Sequence, residues 1–384
     1  MIPPELASIM LRLLYICLFE VRNALYHMKA DKSPSGEPAL NILAKLFNQV
    51  IQDTRTPESW KTAIVTVIHK KGDISKLANY RPISLLSHTY KLFSKVLCNR
   101  ITRNLDECQP PEQAGFQSGF STVDHLHAVK QLMEKCHEYN RPLCMAFVDY
   151  EKAFDSVEHW AVFDALHRCS IDARYVDLLR ELYGSATMQV RLHKTSDPIS
   201  IKRGVRQGDT ISPKLFTAVL EDVIKTLAWD KTGINSHGVF LSHLRFADDI
   251  VLFAESPDDL QSMIQGLYHA SIKVGLKMNM SKTKVMTNIT GFSNLTITVG
   301  AEELEVVEQY VYLGHILSFD KKQQEKEISR RIQLGWAAFN KLADILKTDN
   351  FPQCLKTRLF NQCVLPTMTY GAETWTLTKG AVHK

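Results

Sequence analysis

Several things are missing from this 384-residue sequence, and each absence closes off a class of protein. None of the eight cysteines forms a Cys-x-x-Cys pair. Thiols spread singly argue against a zinc site and fit a reduced, intracellular protein better than a disulfide-stapled secreted one. There is no long apolar run: Ala7 to Phe19 is the best candidate, but it is short, is broken by Ser8 and Arg12 and has no basic leader. It reads as a packed helix, with no membrane partner. No low-complexity tract or internal repeat stands out. A surplus of one charge is nearly absent too, since 46 Lys and Arg against 41 Asp and Glu leave +5, which permits contact with nucleic acid without requiring it. The length exceeds what one growing core usually serves, so subdomains are expected.

What is present is acid in apolar surroundings. Arg245-Phe246-Ala247-Asp248-Asp249-Ile250-Val251-Leu252-Phe253 sets two adjacent carboxylates inside a strand-forming run. Strand side chains alternate faces, so the pair reads as the tip of a tight hairpin on a buried scaffold. Like charges so close repel and desolvate badly, which a divalent cation would relieve. A solvated Asp-Asp turn is the plain alternative. A second acid in similar surroundings shifts the balance, because Leu143 to Tyr150 is an apolar strand closing on Asp149. If the two strands are neighbours, Asp149, Asp248 and Asp249 converge on a site suited to two hard cations about 3.5–4 Å apart, the arrangement that serves in-line phosphoryl displacement. Asp155, three residues before Glu158, has the spacing of a helix N-cap in a capping box.

Between these blocks, Lys202 to Pro213 carries two glycines, three cations and the amide of Gln207. Ser212 suits an N-cap and Pro213 the first helical position, ahead of a buried stripe from Leu215 to Ile224. A helix start beside a Gly-rich loop is an anion site in waiting, or an ordinary surface turn. Ser256-Pro257-Asp258-Asp259 opens another capped helix, and Ile328, Ile332, Trp336, Phe339, Leu342 and Leu346 recur at helical steps. Cations gather in two regions: Lys61, Lys70, Lys71, Lys76, Arg81, Lys91, Lys95, Arg100 and Arg103, then Lys321, Lys322, Lys326, Arg330, Arg331, Lys341 and Lys347. Two basic walls about an acidic centre describe a nucleic-acid cleft.

Taken in order, these blocks resemble the reverse transcriptases of non-LTR (LINE-like) retrotransposons. Asn79-Tyr80-Arg81-Pro82-Ile83-Ser84-Leu85-Leu86 and Gln113 to Thr122 are similar to the two fingers blocks, the Asp149 strand to the first catalytic block, Gly204 to Pro213 to the nucleotide-binding block, and Phe246-Ala247-Asp248-Asp249 to the second catalytic block. Gly275 to Thr283 is similar to the next palm motif and Tyr312-Leu313-Gly314-His315 to the primer grip.

The resemblance implies an α+β, right-hand polymerase fold with an antiparallel palm sheet backed by helices. It implies an N-terminal helical extension over 1–60, fingers over 61–140, a palm over 141–318 with finger elements around 160–200, and a partial thumb over 319–384. Asp149, Asp248 and Asp249 would bind two Mg²⁺ or Mn²⁺ ions, and Lys282 would protonate the pyrophosphate or cap a helix end. Phe154 would exclude the ribose 2′-OH, or is a core aromatic. Tyr150, Gln207 and Gly208 would contact the incoming nucleotide, while Arg81, Lys61 and Lys70 reach its triphosphate. Tyr312, Leu313 and Gly314 would grip the primer. The implied partners are an RNA template, a DNA primer or target and deoxynucleoside triphosphates.

Two departures from the family pattern give a further expectation. Met28 to Pro38 begins the family's turn ahead of the fingers and then jumps to the next helix, and the chain stops soon after Leu365 to Trp375. A truncated element copy is therefore expected. Two other readings stand beside a reverse transcriptase: an RNA-dependent RNA polymerase, disfavoured by Phe154 and by Ala-Asp-Asp in place of Gly-Asp-Asp, and an inactive remnant that only binds RNA or a template–primer duplex.

Overall fold

In a computed structural model the chain is described except for residues 1–14, 29–35, 71, 193, 237, 290–295, 321 and 377–384. Most of the apolar Ala7–Phe19 stretch, most of the Met28–Pro38 turn, Lys71 and Lys321 lie outside the described residues. In chain order the strands used below are β1 (Thr62–His69), β2 (Tyr80–Leu85), β3 (Cys144–Val148), β4 (Thr187–Val190), β5 (Ile199–Ser200), β6 (His243–Phe246), β7 (Asp249–Ala254), β8 (Lys284–Thr287), β9 (Glu305–Val306), β10 (Gln309–Tyr312) and β11 (His315–Ser318). The helices are α1 (Leu18–His27), α2 (Glu37–Asp53), α3 (His88–Cys108), α4 (Thr122–Glu138), α5 (His159–Arg168), α6 (Ala173–Gly184), α7 (Ser212–Lys225), α8 (Pro257–Lys273) and α9 (Gln323–Lys341).

These elements sort into two compact units that interleave along the chain rather than following one another as consecutive segments. One gathers described residues of Met1–Phe116, Tyr150–Ala228 and Leu267–Met278, the other those of Gln117–Asp149, Trp229–Gly266 and Asn279–Lys384. The interleaving follows from strand pairing, since β3 draws its partners from far along the sequence.

The first unit holds a four-stranded sheet in the order β2–β1–β4–β5 with helices around it. Its core is aromatic, with Phe47, Trp60, Tyr90 and Phe93 buried and their rings in contact. The second unit holds a five-stranded sheet in the order β9–β8–β3–β7–β6, antiparallel except for the β9 edge. All five residues of β3 are buried, as a central strand requires. One face of this sheet packs on Leu126, Val129 and Met133 of α4 and on Tyr312 and Leu317 of the β10–β11 hairpin.

The helix starts match the sequence pattern with small shifts. Ser256 Oγ accepts the Asp259 amide at 3.1 Å and caps α8. Ser212 is the first residue of α7 and Ile211 its cap, one position from the expected register. Asp155 is not a cap: it lies within the helical turn Ala153–Ser156, and its half-buried carboxyl takes the Gln207 side chain instead. The α9 stripe is also rotated, with Ile328 buried but Trp336 61% exposed. Glu327, Arg331 and Gly335 take the inner face, where a Cβ at Gly335 would lie 3.1 Å from the Met368 side chain. Among the described residues no helix is long and apolar enough to cross a membrane.

Candidate active site

The acidic hairpin is built by β6 and β7. Phe246 pairs with Asp249, so Ala247 and Asp248 are the two central residues of the turn. Ala247 takes φ +60°, the left-handed region that two-residue hairpin turns demand and that glycine or asparagine usually fills. A Cβ in that region costs roughly 1–2 kcal/mol, and the extra unfolded freedom of glycine offsets about 0.5–1 kcal/mol of the relief. Ala247→Gly is therefore expected to stabilise the protein by about 0.5–1 kcal/mol in urea unfolding; a loss of stability would mean that the contacts of the methyl group outweigh the strain.

Register then assembles the site. Val148 of β3 pairs with Ile250 of β7, and Phe147 pairs with Lys284 of β8. Continuing the β3–β7 ladder by one step sets Asp149 across from Asp249; on the other side a turn at Lys282 leads into β8, and ahead of it Met278 pairs with Tyr150. Asp149 and Asp249 therefore lie side by side at the ends of two neighbouring strands, with Asp248 at the adjoining turn and Lys282 reaching Asp149 from the turn before β8. Lys282 Nζ donates to Asp149 Oδ1 at 3.0 Å. The Asp149 backbone is pinned as well, its carbonyl accepting the Asn279 amide at 2.8 Å and its amide donating to Thr283 Oγ1 at 3.4 Å.

The electrostatics are strained at Asp249. Its carboxyl has an open side to solvent, yet the protein packed around it, and then the charges of Asp248 and Asp149, push its pKa up to about 6 against the opposing pull of Lys282. Among the described residues no three metal-binding side chains already close around one point. The donor set still fits a hard divalent cation: three carboxylates lie along one edge, and the crowding that raises Asp249 is what such an ion would relieve.

Two tyrosines belong to the same face, and only one of them was singled out from sequence. Phe147 shares a face of β3 with Asp149, and Tyr310 stacks on Phe147 at 4.2 Å while Tyr312 lies 5.7 Å from it. Burial, then the charges of Asp249 and Asp149, push the Tyr310 phenol up to about 12. The Tyr312 hydroxyl is buried and has no hydrogen-bond partner among the described residues. The alternation Tyr310, Tyr312 beside the hairpin turn was the available signal for Tyr310.

Tyr312 and His315 pair across a two-residue turn, Leu313-Gly314, in which both residues have positive φ, +43° and +76°. This is the dihedral signature of a type I′ turn, and its tip is exposed at Gly314.

The expected nucleotide-binding residues all belong to the first unit, and their states differ. Phe154 stacks on Phe216 at 4.6 Å with Phe116 edge-on, partly exposed. Gln207 Nε2 donates to Asp155 Oδ1 at 3.1 Å. Gly208 is exposed at φ +98°, and a Cβ there would lie 3.2 Å from the Ser84 carbonyl. Arg81 and Lys70 are exposed, on β2 and just after β1.

Two of the expected residues are committed elsewhere. Lys61 Nζ lies 2.8 Å from both Glu58 and Glu181, with its side chain 12% exposed. Tyr150 is buried, and its hydroxyl is 2.6 Å from Ser271 Oγ. The loop glycine Gly204 serves packing, since a Cβ at its φ of +86° would meet the Asp155 carbonyl oxygen at 2.6 Å. Arg206, one of the loop cations, is buried and donates to the carbonyls of Trp60 and Lys61 at 2.8 and 3.0 Å. Asp209, which composition did not single out, is buried and accepts from Tyr90 and Ser94.

The basic regions are thinner than their composition suggests, because Arg100 pairs with Glu20, Arg103 with Glu107, Lys326 with Asp320, and Arg330 and Arg331 with Glu327.

A central strand ending on one carboxylate, beside a hairpin that bears two, in a mostly antiparallel sheet covered by helices, defines the class: an α+β fold of the right-hand polymerase kind. Residues 68–317 match the family of the reverse transcriptase (RNA-dependent DNA polymerase), and the chain belongs to that family.

Its relatives are proteins of non-LTR retrotransposons. The transposon TX1 uncharacterized 149 kDa protein of Xenopus laevis is 30% identical over 288 residues, 70% of this chain and 22% of that protein. The Pol polyprotein from type-1 retrotransposable element R2 of Nasonia vitripennis is 28% identical over 286 residues, 71% of this chain and 27% of its own length. The RNA-directed DNA polymerase from mobile element jockey of Drosophila melanogaster is 24% identical over 392 residues, covering 94% and 41%. The chain thus spans between about a fifth and two fifths of these curated relatives. Among solved structures, apo telomerase from Candida tropicalis shares the fold, with a TM-score of 0.51 and 14% identity over 88% of this chain and 63% of that one.

Proposed function

We propose that this chain is an RNA-directed DNA polymerase that extends a DNA primer on an RNA template with deoxynucleoside triphosphates. The observation that carries the reading is the set of Asp149 and Asp249 side by side on neighbouring strands, Asp248 at the adjoining turn and Lys282 paired to Asp149, in a chain of the reverse transcriptase family.

Asp149, Asp248 and Asp249 hold the metal ions, two Mg²⁺ or Mn²⁺. When bound, such ions supply Lewis-acid activation of the primer 3′-OH and neutralise charge on the triphosphate. Lys282 sits on Asp149 as the proton donor for departing pyrophosphate. Phe154, braced by Phe216, is the ring that excludes a 2′-OH, and Asp155 orients Gln207, whose carboxamide and the neighbouring Gly208 meet the nucleotide. Arg81 and Lys70 offer exposed cations to the triphosphate. Lys61 and Tyr150 drop out, because their polar ends are already bonded within the fold. Leu313 and Gly314 present the exposed turn against which the primer rests, with buried Tyr312 beneath it.

Primer extension on poly(rA) annealed to oligo(dT), with Mg²⁺ or Mn²⁺, tests the reading. Incorporation of dTTP that Asp248→Ala abolishes is the expected result. Substantial ribonucleotide use would favour an RNA polymerase, and salt-sensitive duplex binding without extension would leave only an RNA-binding remnant.

A further inference from the structure

The turn Leu313-Gly314 is strained, and the side chains holding it come from elements that the polymerase reading does not use. Strained dihedrals persist only where the surroundings over-determine them. Here both turn carbonyls are taken. The Leu313 carbonyl accepts the Tyr370 hydroxyl at 2.9 Å, and that hydroxyl also lies 2.8 Å from Thr122 Oγ1 on α4. The Gly314 carbonyl accepts from Arg330 at 2.5 Å and from Arg331, whose guanidinium lies 4.5 Å over the Tyr370 ring.

The arginines are themselves fixed. Glu327, fully buried, accepts Arg330 Nε at 2.9 Å, Arg331 Nε at 2.7 Å and the Ile316 amide at 3.0 Å. Burial works to raise the Glu327 carboxyl, but these donors hold it below the usual carboxylate range. On the other side of the turn, His315 Nε2 receives Trp375 Nε1 at 3.2 Å and Lys130 Nζ at 3.3 Å, while its Nδ1 faces the Ile316 carbonyl at 3.2 Å. Lys130 also donates to both oxygens of Thr374. Gly371, at φ +73°, lets the backbone lie against the His315 ring, where a Cβ would come within 3.2 Å.

We infer that the segment Tyr370–Trp375, with Arg330 and Arg331 of α9, is a clasp that holds the Leu313-Gly314 turn in the one conformation able to support a primer end, and that Tyr370 is its positioning residue. The inference rests on the polymerase reading for the word primer, but not for the clasp itself. Tyr370 acts through the Leu313 carbonyl and touches no reacting atom. Its loss leaves the carboxylate row intact and loosens the surface on which the primer lies.

The experiment compares Tyr370→Phe and Thr122→Val with the unaltered chain in steady-state primer extension, with Mn²⁺ affinity and amide hydrogen exchange measured on the same samples. In Tyr370→Phe, KM for the primer–template is expected to rise about tenfold, the scale of one lost hydrogen bond, with kcat within about twofold and Mn²⁺ affinity unchanged. Thr122→Val leaves the bond to Leu313 in place, so its KM is expected to stay within about twofold. The Gly314 and His315 amides should exchange faster in Tyr370→Phe only. Equal effects of the two substitutions, or a fall in kcat at constant KM, would overturn the assignment. If the unaltered chain extends no primer, the polymerase reading fails by itself. Exchange still decides the clasp: faster in Tyr370→Phe supports it, unchanged rates overturn it.

Discussion

Asp249→Asn is expected to raise the melting temperature slightly while reducing primer extension by on the order of 10²–10³-fold or more, the scale of losing one preorganised electrostatic group. The two effects have one cause. Packing and the charges of Asp248 and Asp149 raise the Asp249 carboxyl to about 6, so the ionised form is held at a cost to the fold. An amide of the same shape removes that cost together with a ligand for the cation that would otherwise offset it. The sign of the pH dependence follows. A carboxyl raised in the folded state keeps its proton until the pH passes about 6, and a metal ion must displace that proton. Mn²⁺ affinity, followed by calorimetry, should strengthen as the pH rises through 6, and Asp249→Asn should flatten that slope. A pH-independent affinity in the unaltered chain would place the ion elsewhere.

Much of this geometry can be read from local pattern, and the rest depends on contacts that no local pattern carries. The β3 strand and the β6–β7 hairpin are legible because an acid that closes an apolar run has few places to go, and because the turn length follows from Phe246 pairing with Asp249. That Lys282 meets Asp149 depends on the turn before β8, where the Lys282 amide donates to the Asn279 carbonyl and the Asn279 amide to the carbonyl of Asp149, a residue far from both in sequence. Charge reads poorly for the same reason. Arg206 looks like a cation for phosphate and is instead a buried donor to two carbonyls, while Lys61 answers two carboxylates. The α9 stripe misleads because a buried Glu327 with two arginines is as good an inner face as a row of leucines, once every charge has a partner. Asp155 resembles a cap by spacing, but burial raises its pKa, and the Lys152 charge and then the Gln207 amide ease it.

Acidification from pH 7 to 5 is expected to cost the second unit more stability than its surface charges could account for, through three buried histidines. His125 is held down to about 4 by burial, against the pull of Asp124 and with Arg245 adding to the burial, and neither of its ring nitrogens has a hydrogen-bond partner among the described residues. His243 is held down to about 3 by burial and then Arg245, and His315 to about 4 by burial and then Lys130. A histidine whose folded value is depressed is neutral in the fold. Below about 6.5 the unfolded chain binds protons that the folded one refuses, so stability declines as the pH drops from 6.5 toward the folded value and levels off beneath it. At pH 5 each such group costs about 2 kcal/mol, and three together about 6 kcal/mol, comparable to the whole stability of many domains. Denaturant melts at pH 7 and pH 5 measure the difference, and one substitution assigns it. His125→Leu removes a titrating ring that makes no hydrogen bond, so it should leave stability at pH 7 unchanged or higher and lessen the acid loss by about a third. An acid loss undiminished in that variant would mean that the His125 ring is solvated and titrates near its ordinary value.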